Sequence, residues 1–391
     1  MYILMSTIIT DSVKQFAYFL LYLFCKFIRL VKITSCFFTI PHFVMYFNLF
    51  RAMKKIIMCL FFFSTISCSH KKKIPDVSQI RVNLQTVRFE KDFFAIDTNN
   101  MPASLQSLYA KHKGFSQDFF FNILGIPPFP DSVAHDAKMF LATYKGIYAS
   151  SVKPFENFEP IQEDVRKGLQ YVNYYFPKYI LPNKIVTFIG PLNSYAGIIT
   201  PDNSIAVGLQ LYLGKDYKVY QSDEILNMYP FYVSRRFEPA YIPVNCMKNI
   251  VDDLFSSNKP AKKSTQLIEQ MVDEGKKLYL LDAFLPYTPD SLKTGYTQQQ
   301  LTNSFAAEKE IWTYFVENDL LYQTDPTIVS PYVNDGPKTT ELGEWSPGNI
   351  GQFVGWQIVK KWMDKNDKAS LKQLIQTPSK QIFEEARYKP H

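Results

Sequence analysis

Histidine is scarce in this chain, with five among 391 residues, and His42, His70, His112, His135 and His391 stand apart from one another. A zinc hydrolase helix needs two histidines four residues apart, so that both rings reach one metal, with a glutamate between them as base. His-Glu-x-x-His does not occur, so the sequence predicts no metal site and no cofactor, and His112 and His135 read as surface or cap residues. Glycine is sparse too, at 15 residues, and neither Gly-x-Gly-x-x-Gly nor Gly-x-x-x-x-Gly-Lys-Ser/Thr is found. Nucleotide chemistry therefore has no loop to support it, and without Gly-x-Ser-x-Gly there is no elbow to present a nucleophilic serine. Cysteine is limited to Cys25, Cys36, Cys59, Cys68 and Cys246. If the first four belong to targeting segments, the folded part holds one thiol and no internal disulfide. Cys246, with Val244, Met247 and Ile250 at helical spacing, reads as a buried and inert thiol.

Long apolar spans are missing as well. The run from Phe16 to Cys25 is broken by Lys26, Arg29 and Lys32, a second runs from Cys36 to Phe50, and neither has the length of a clean membrane crossing. There is no dense basic block beyond Lys71 to Lys73, and the net charge of +7 comes from 43 basic and 36 acidic residues interleaved along the chain. That pattern excludes nucleic acid as the expected partner. What is abundant is apolar and aromatic: 47% hydrophobic residues are ample for a core. The 33 Phe and 25 Tyr look like a background bias of the composition and not a stacking surface.

From Met53 the sequence reads Met-Lys-Lys, an apolar run from Ile56 to Phe63, Ser64-Thr-Ile-Ser-Cys68, and then Ser69-His-Lys-Lys-Lys73. A short basic region, a short apolar region and small residues before a cysteine are the parts of a lipoprotein signal peptide in their proper order. The expectation is that the signal spans 53–67, that Cys68 carries diacylglycerol and an amide-linked acyl chain such as palmitate, and that 68–80 is a tether. Residues 1–52 then read as upstream sequence preceding the true start, the alternative being a membrane-embedded extension that would place the lipobox inside the protein, and 81–391 reads as the exported domain. Ser69 after the cysteine is compatible with the outer membrane, and Lys71 to Lys73 lack the acidic character of a surface-export tag. The domain is expected to face the periplasm.

Within that domain, Ile80 to Phe94 alternates as a strand leading into an aromatic turn, while Ser116 is placed to cap a helix carrying Phe119, Phe120, Ile123 and Leu124. Further helices are read at Pro130 to Phe140 and Pro160 to Tyr175. The branched apolar runs Lys184 to Gly190 and Ser204 to Leu213 are the candidates for paired strands, joined by a Gly/Pro/Asn-rich connection from Pro191 to Asn203. Helical segments follow at about 222–236, 241–256, 264–284, 297–317 and 346–364. The helix at Thr297 has a capping box with Gln300 and a staple of Tyr296 on Leu301, and at 346 Ser-Pro-Gly places a cap residue before Pro347. No repeat is visible. The fold class is α+β, a predominantly helical single domain with a small β-sheet.

Three clusters stand out: Tyr232 to Pro239 with Arg235 and Arg236, Gln270 to Tyr279, and Trp345 to Trp356. Gly351 and Gly355 share one helical face, where another backbone can approach, as an internal crossing or as a docking groove. Arg235, Arg236, Gly351 and Gly355 are the candidate docking residues. Asp273-Glu274 and Asp252-Asp253 are possible acid and base pairs, yet Asp273 lies four residues before Lys277, which reads as an ion pair on a solvated helix face.

These clusters resemble the gliding motility-associated lipoprotein GldB family of Bacteroidetes. The likeness rests on the lipobox at Cys68, Arg88-Phe-Glu, Met271 to Tyr279 with Leu281-Asp282 and Leu285-Pro286, Trp312 to Tyr322 with Thr324-Asp325, Ser346 to Val359, and Tyr388-Lys-Pro. It covers the chain after Met53. It implies a non-enzymatic, lipid-anchored envelope protein that supports gliding or the associated protein secretion, binds other components of that machinery, and has no catalytic residues to carry over. The order of strands, the Asp-Glu-Gly helix and the late glycine-rich helix also looks like a zincin-type peptidase domain without its histidines. The alternative is a periplasmic hydrolase acting through carboxylates, with Arg235 or Tyr279 in a cleft.

Overall fold

A computed structural model describes residues 74–194, 197–200, 202–258 and 266–390. The segments read as upstream extension, signal peptide and lipidated cysteine lie outside them. Strand β1 (Gln85–Arg88) leads directly into helix α1 (Phe89–Phe94). The expected longer strand stops there because Phe89 and Phe93, one helical turn apart, are both fully buried and require a helix to point the same way. Helices α2 (Met101–Lys111), α3 (Lys113–Asp118), α4 (Pro130–Val152) and α5 (Glu159–Tyr175) follow, α4 starting at the proline read from the sequence and α5 one residue before Pro160. Ser116 is no cap: it lies inside α3, which widens into a π-helical turn over Phe119–Ile123. Phe119, Phe120 and Ile123 of this turn are all buried.

The sheet is built from β1, β2 (Lys184–Phe188), β3 (Gly197–Ile199) and β4 (Ile205–Gly208) in the order β1-β2-β4-β3. β1, β2 and β4 are parallel, with Ile185 opposite both Thr86 and Ile205, and β3 runs antiparallel along the edge of β4. The two apolar runs pair as expected, and the connection between them holds a strand that its Gly/Pro/Asn content concealed. Alternation along the strands divides the interior in two. Val186, Phe188 and Ala206 face an aromatic core with Phe89, Phe93, Phe115, Phe119 and Phe120. Ile185, Ile205 and Val207 face a larger core made with the helices that follow.

Those helices are α6 (Asp223–Met228), α7 (Phe231–Ser234), α8 (Ile242–Asn258), α9 (Leu267–Phe284), α10 (Asp290–Thr294), α11 (Gln298–Ala306), α12 (Glu308–Glu317), α13 (Pro326–Val333), α14 (Ile350–Lys365), α15 (Leu371–Gln376) and α16 (Ser379–Ala386). The helix expected at 222–236 is split at Pro230, which cannot extend α6, and the one at 297–317 is split at Ala307. Thr297 and Gln300 form the full capping box, and Tyr296 and Leu301 are both buried. The late helix starts at Ile350 and not after Ser346. Ser346 is buried and closes the preceding loop instead, its hydroxyl accepting from the Thr339 amide at 3.1 Å. The described residues form one predominantly helical α+β unit, spanning Ile74–His391. Val77 is buried in it and the Ile80 carbonyl accepts from Gln170 Nε2, so this unit already contains the last part of the stretch read as tether.

Candidate functional site

The centre of the larger core is the crossing of α9 and α14. It is made possible by glycine: a Cβ added at Gly275 would lie 2.1 Å from the Gly355 carbonyl carbon, and one at Gly355 would lie 1.6 Å from the Met271 carbonyl oxygen. The helix backbones touch there, as only paired small residues permit. Gly351 is seated against the Tyr332 carbonyl on α13, where its Cβ would stand at 2.7 Å. The structure thus puts Gly351 and Gly355 inside the molecule, at internal crossings.

On α9 the five residues from Asp273 to Lys277 carry four charges in two groups. Asp273 and Lys276 are buried, 7% and 1% exposed, which corrects the reading of Asp273 as part of a solvated face. Lys276 Nζ donates to the Thr377 carbonyl at 2.8 Å and to Ser379 Oγ at 2.9 Å, while Ser379 donates to Asp273 Oδ1 at 2.5 Å. A lysine three residues along, and not the one four along, balances Asp273. This buried ion pair fastens the start of α16 to α9. Glu274 and Lys277 form the other group: Lys277 Nζ lies 3.2 Å from both Glu274 and Asp252 of α8. Burial alone would lower the Lys277 pKa, but the two carboxylates outweigh it and raise it. Asp253, next to Asp252, accepts from Tyr179.

Two turns further along α9, Asp282 accepts from Trp356 Nε1 at 2.7 Å and from Lys293 on α10, which also meets Asp290 at 2.6 Å. Burial raises the Asp282 pKa in spite of Lys293 and Lys360, whose Nζ lies 3.2 Å from the centre of the Trp356 ring. Tyr279 stands nearer this group; burial first, then Asp364 and Asp282, push its pKa up to about 12.

Arg235 donates to the Gly295 carbonyl at 2.6 Å, and Arg236 pairs with Asp335 beside the same glycine. The two candidate docking arginines thus hold the turn between α10 and α11. Lys248 of α8 lies half-buried near Arg236, Asp335, Glu274 and Asp252; burial and then Arg236 bring its pKa down to about 8. Of the residues named for carboxylate hydrolysis, Asp273 is bonded to Ser379, Glu274 is paired with Lys277, Arg235 is bonded to the Gly295 carbonyl, and Tyr279 lies near Asp364 and Asp282. Cys246 is buried, and burial pushes its thiol up to about 12. His112 accepts a place between α2 and α3, bonded to Asp92 at 2.7 Å, and His135 is exposed on α4. Arg88-Phe-Glu is a clamp under the sheet: Arg88 meets Glu90 at 2.6 Å and the Phe155 carbonyl at 2.8 Å, and Glu90 accepts from Thr187.

Sequence reasoning missed Lys248, Lys293 and Ser379, because each owes its role to a neighbour distant in the chain. Among the described residues no group of three or more His, Cys, Asp and Glu side chains is arranged to hold a metal ion, and no helix is long and apolar enough to cross a membrane. Neither the curated proteins nor the solved structures contain a match to the chain. A family model described as gliding motility protein GldB matches residues 70–390, which takes in the glycine crossing, the buried ion pairs and the Arg88 clamp, and the chain belongs to that family.

Proposed function

We propose that this GldB-family protein is a lipid-anchored component of the cell envelope that serves gliding, or the secretion linked to it, by binding other proteins and not by catalysis. The observation that carries the reading is the internal commitment of the charges on α9. In the register of a His-Glu-x-x-His helix, with Glu274 as the glutamate, the two ligand positions fall on Asp273 and Lys277. Lys277 brings an ammonium to where a metal would need a neutral imidazole, and that ammonium is held by Glu274 itself. Asp273 is spent on Ser379 and Lys276. The residues present do not fit a metal, and the glutamate that would act as base is already paired. A zincin-like frame converted to a rigid binding scaffold accounts for this pattern, as an analogy of arrangement.

The anchor is assigned to Cys68 on the sequence from Met53 onward. Two or more acyl chains give a stable attachment where one would be marginal, at about 0.8 kcal/mol for each buried methylene. The domain is assigned to the periplasmic side of the outer membrane. Two experiments test the reading. Cys68→Ala should move the protein from the membrane to the soluble fraction of the exported compartment; retention in the membrane would remove the anchor. Cross-linking of the native chain in cells, followed by identification of the linked proteins, should recover envelope components of the motility or secretion apparatus. A chain that cross-links to none of them, and instead cleaves peptides or glycans when purified, would support the hydrolase alternative.

A further inference from the structure

The two most exposed large hydrophobic side chains among the described residues are Ile180, 79% exposed, and Tyr287, 73% exposed. They lie at the same side of the molecule. Phe284, the last residue of α9, has its ring 6.5 Å from that of Tyr175, which ends α5, and 6.0 Å from that of Phe176 just after it. Tyr287 follows Phe284 by three residues and Ile180 follows Phe176 by four. Tyr174, half exposed, stacks edge-on against Tyr175 at 5.0 Å. The start of the folded unit arrives at this place too. Tyr171, one turn before Tyr175, sits against Tyr287 and feels the charge of Asp76, and Gln170 beside it donates to the Ile80 carbonyl. Ile74, two residues before Asp76, is exposed, as is Lys178.

Tyrosine, isoleucine and lysine together are the side chains that suit the boundary between headgroups and acyl chains: the rings and aliphatic groups enter, while hydroxyl and ammonium stay with the headgroups. Position points the same way. Ile74 follows Cys68 by only six positions, so an acylated Cys68 would hold Ile74 within about 20 Å of the bilayer. We infer that the face carrying Ile74, Tyr174, Lys178, Ile180 and Tyr287 rests on the phospholipid surface to which the chain is tethered. The inference builds on the lipid anchor proposed above. It adds that the domain has one orientation on the membrane: the C-terminal ends of α5 and α9 face the lipid, and the opposite end of α9 faces away from it.

Tyr322 marks that opposite end. The carbonyls of Leu321 and Gln323 on either side of it accept from Ile268 and Leu267, at the start of the 18-residue α9, about 27 Å from its finish. The experiment places a nitroxide at Tyr174→Cys, Tyr287→Cys or Tyr322→Cys, all exposed positions whose replacement leaves the core intact. Cys246, being buried, is left unlabelled. The full chain, expressed in and purified from its own envelope, is reconstituted into phosphatidylethanolamine and phosphatidylglycerol vesicles. Collision with a water-soluble relaxation agent is measured, and the mass of the same sample reports lipid on Cys68. The expected result is several-fold lower water access at 174 and 287 than at 322. Equal access at all three on a chain that does carry lipid would overturn the orientation and leave the anchor standing. Protection at 174 and 287 without lipid on Cys68 would uphold the face and remove the anchor. Protection that follows protein concentration and persists without vesicles would assign the face to a second copy of the chain and overturn the inference.

Discussion

Lys276 is the residue on which the charge arrangement turns. A lysine with 1% exposure is tolerated because its ammonium has Thr377, Ser379 and Asp273 around it. Removing one partner of such a buried pair leaves the other charge uncompensated, which costs more than the pair itself contributes. Lys276→Met should therefore destabilise the protein by about 3–5 kcal/mol, read as a lower denaturant midpoint. Adding Asp273→Leu should restore part of the loss; additive losses would contradict the pairing. Lys248 gives a pH prediction. Burial, with Arg236 adding to it, depresses its folded pKa to about 8 from the ordinary 10.5, so the folded chain releases this proton before the unfolded chain does. The stabilising contribution is full above pH 10.5 and is lost as pH falls through about 8. The stability of the parent chain should rise relative to Lys248→Met between those values and run level with it below them. Urea unfolding at a series of pH values checks this, and a flat difference throughout would refute it.

Among the elements, the α9–α14 crossing is the most demanding. Gly355→Ala must part the helices, since its Cβ would overlap the Met271 carbonyl, and should cost at least about 3 kcal/mol. Gly146, inside α4 with nothing near its missing Cβ, should behave in the opposite way. Gly146→Ala is expected to stabilise by about 0.4–1 kcal/mol through a stiffer unfolded chain and better helix propensity. Thermal unfolding of both variants separates packing from propensity. Much at this scale was legible in the sequence. The strands β2 and β4 announced themselves because parallel strands buried on both faces read as unbroken apolar runs. Thr297 and Gln300 announced a helix start because a capping box is local. Helix α1, the π turn at Phe119 and the role of Ser346 were not legible, since tertiary packing decides each of them. The same holds for the candidate site: spacing could pair Asp273 with Lys277, but only the fold could bring Ser379 and Asp252 to α9 and exchange the partners.

At the scale of the whole molecule, Glu90, Asp273 and Lys276 are buried, while Ile180, Phe231 and Tyr287 stay exposed. The cationic and anionic side chains that drew notice in the sequence brace helix crossings, turns and the C-terminal helix. The functional reading then depends on where the chain begins and what holds it. In the proposed reading the signal would start at Met53, and acylation at Cys68 would fix the compartment in which partners are to be sought. Intact mass spectrometry of the protein extracted from its native membrane tests this most directly. The account predicts a chain that begins at Cys68 and carries three acyl chains. A chain that begins at Met1 and carries no lipid would contradict it.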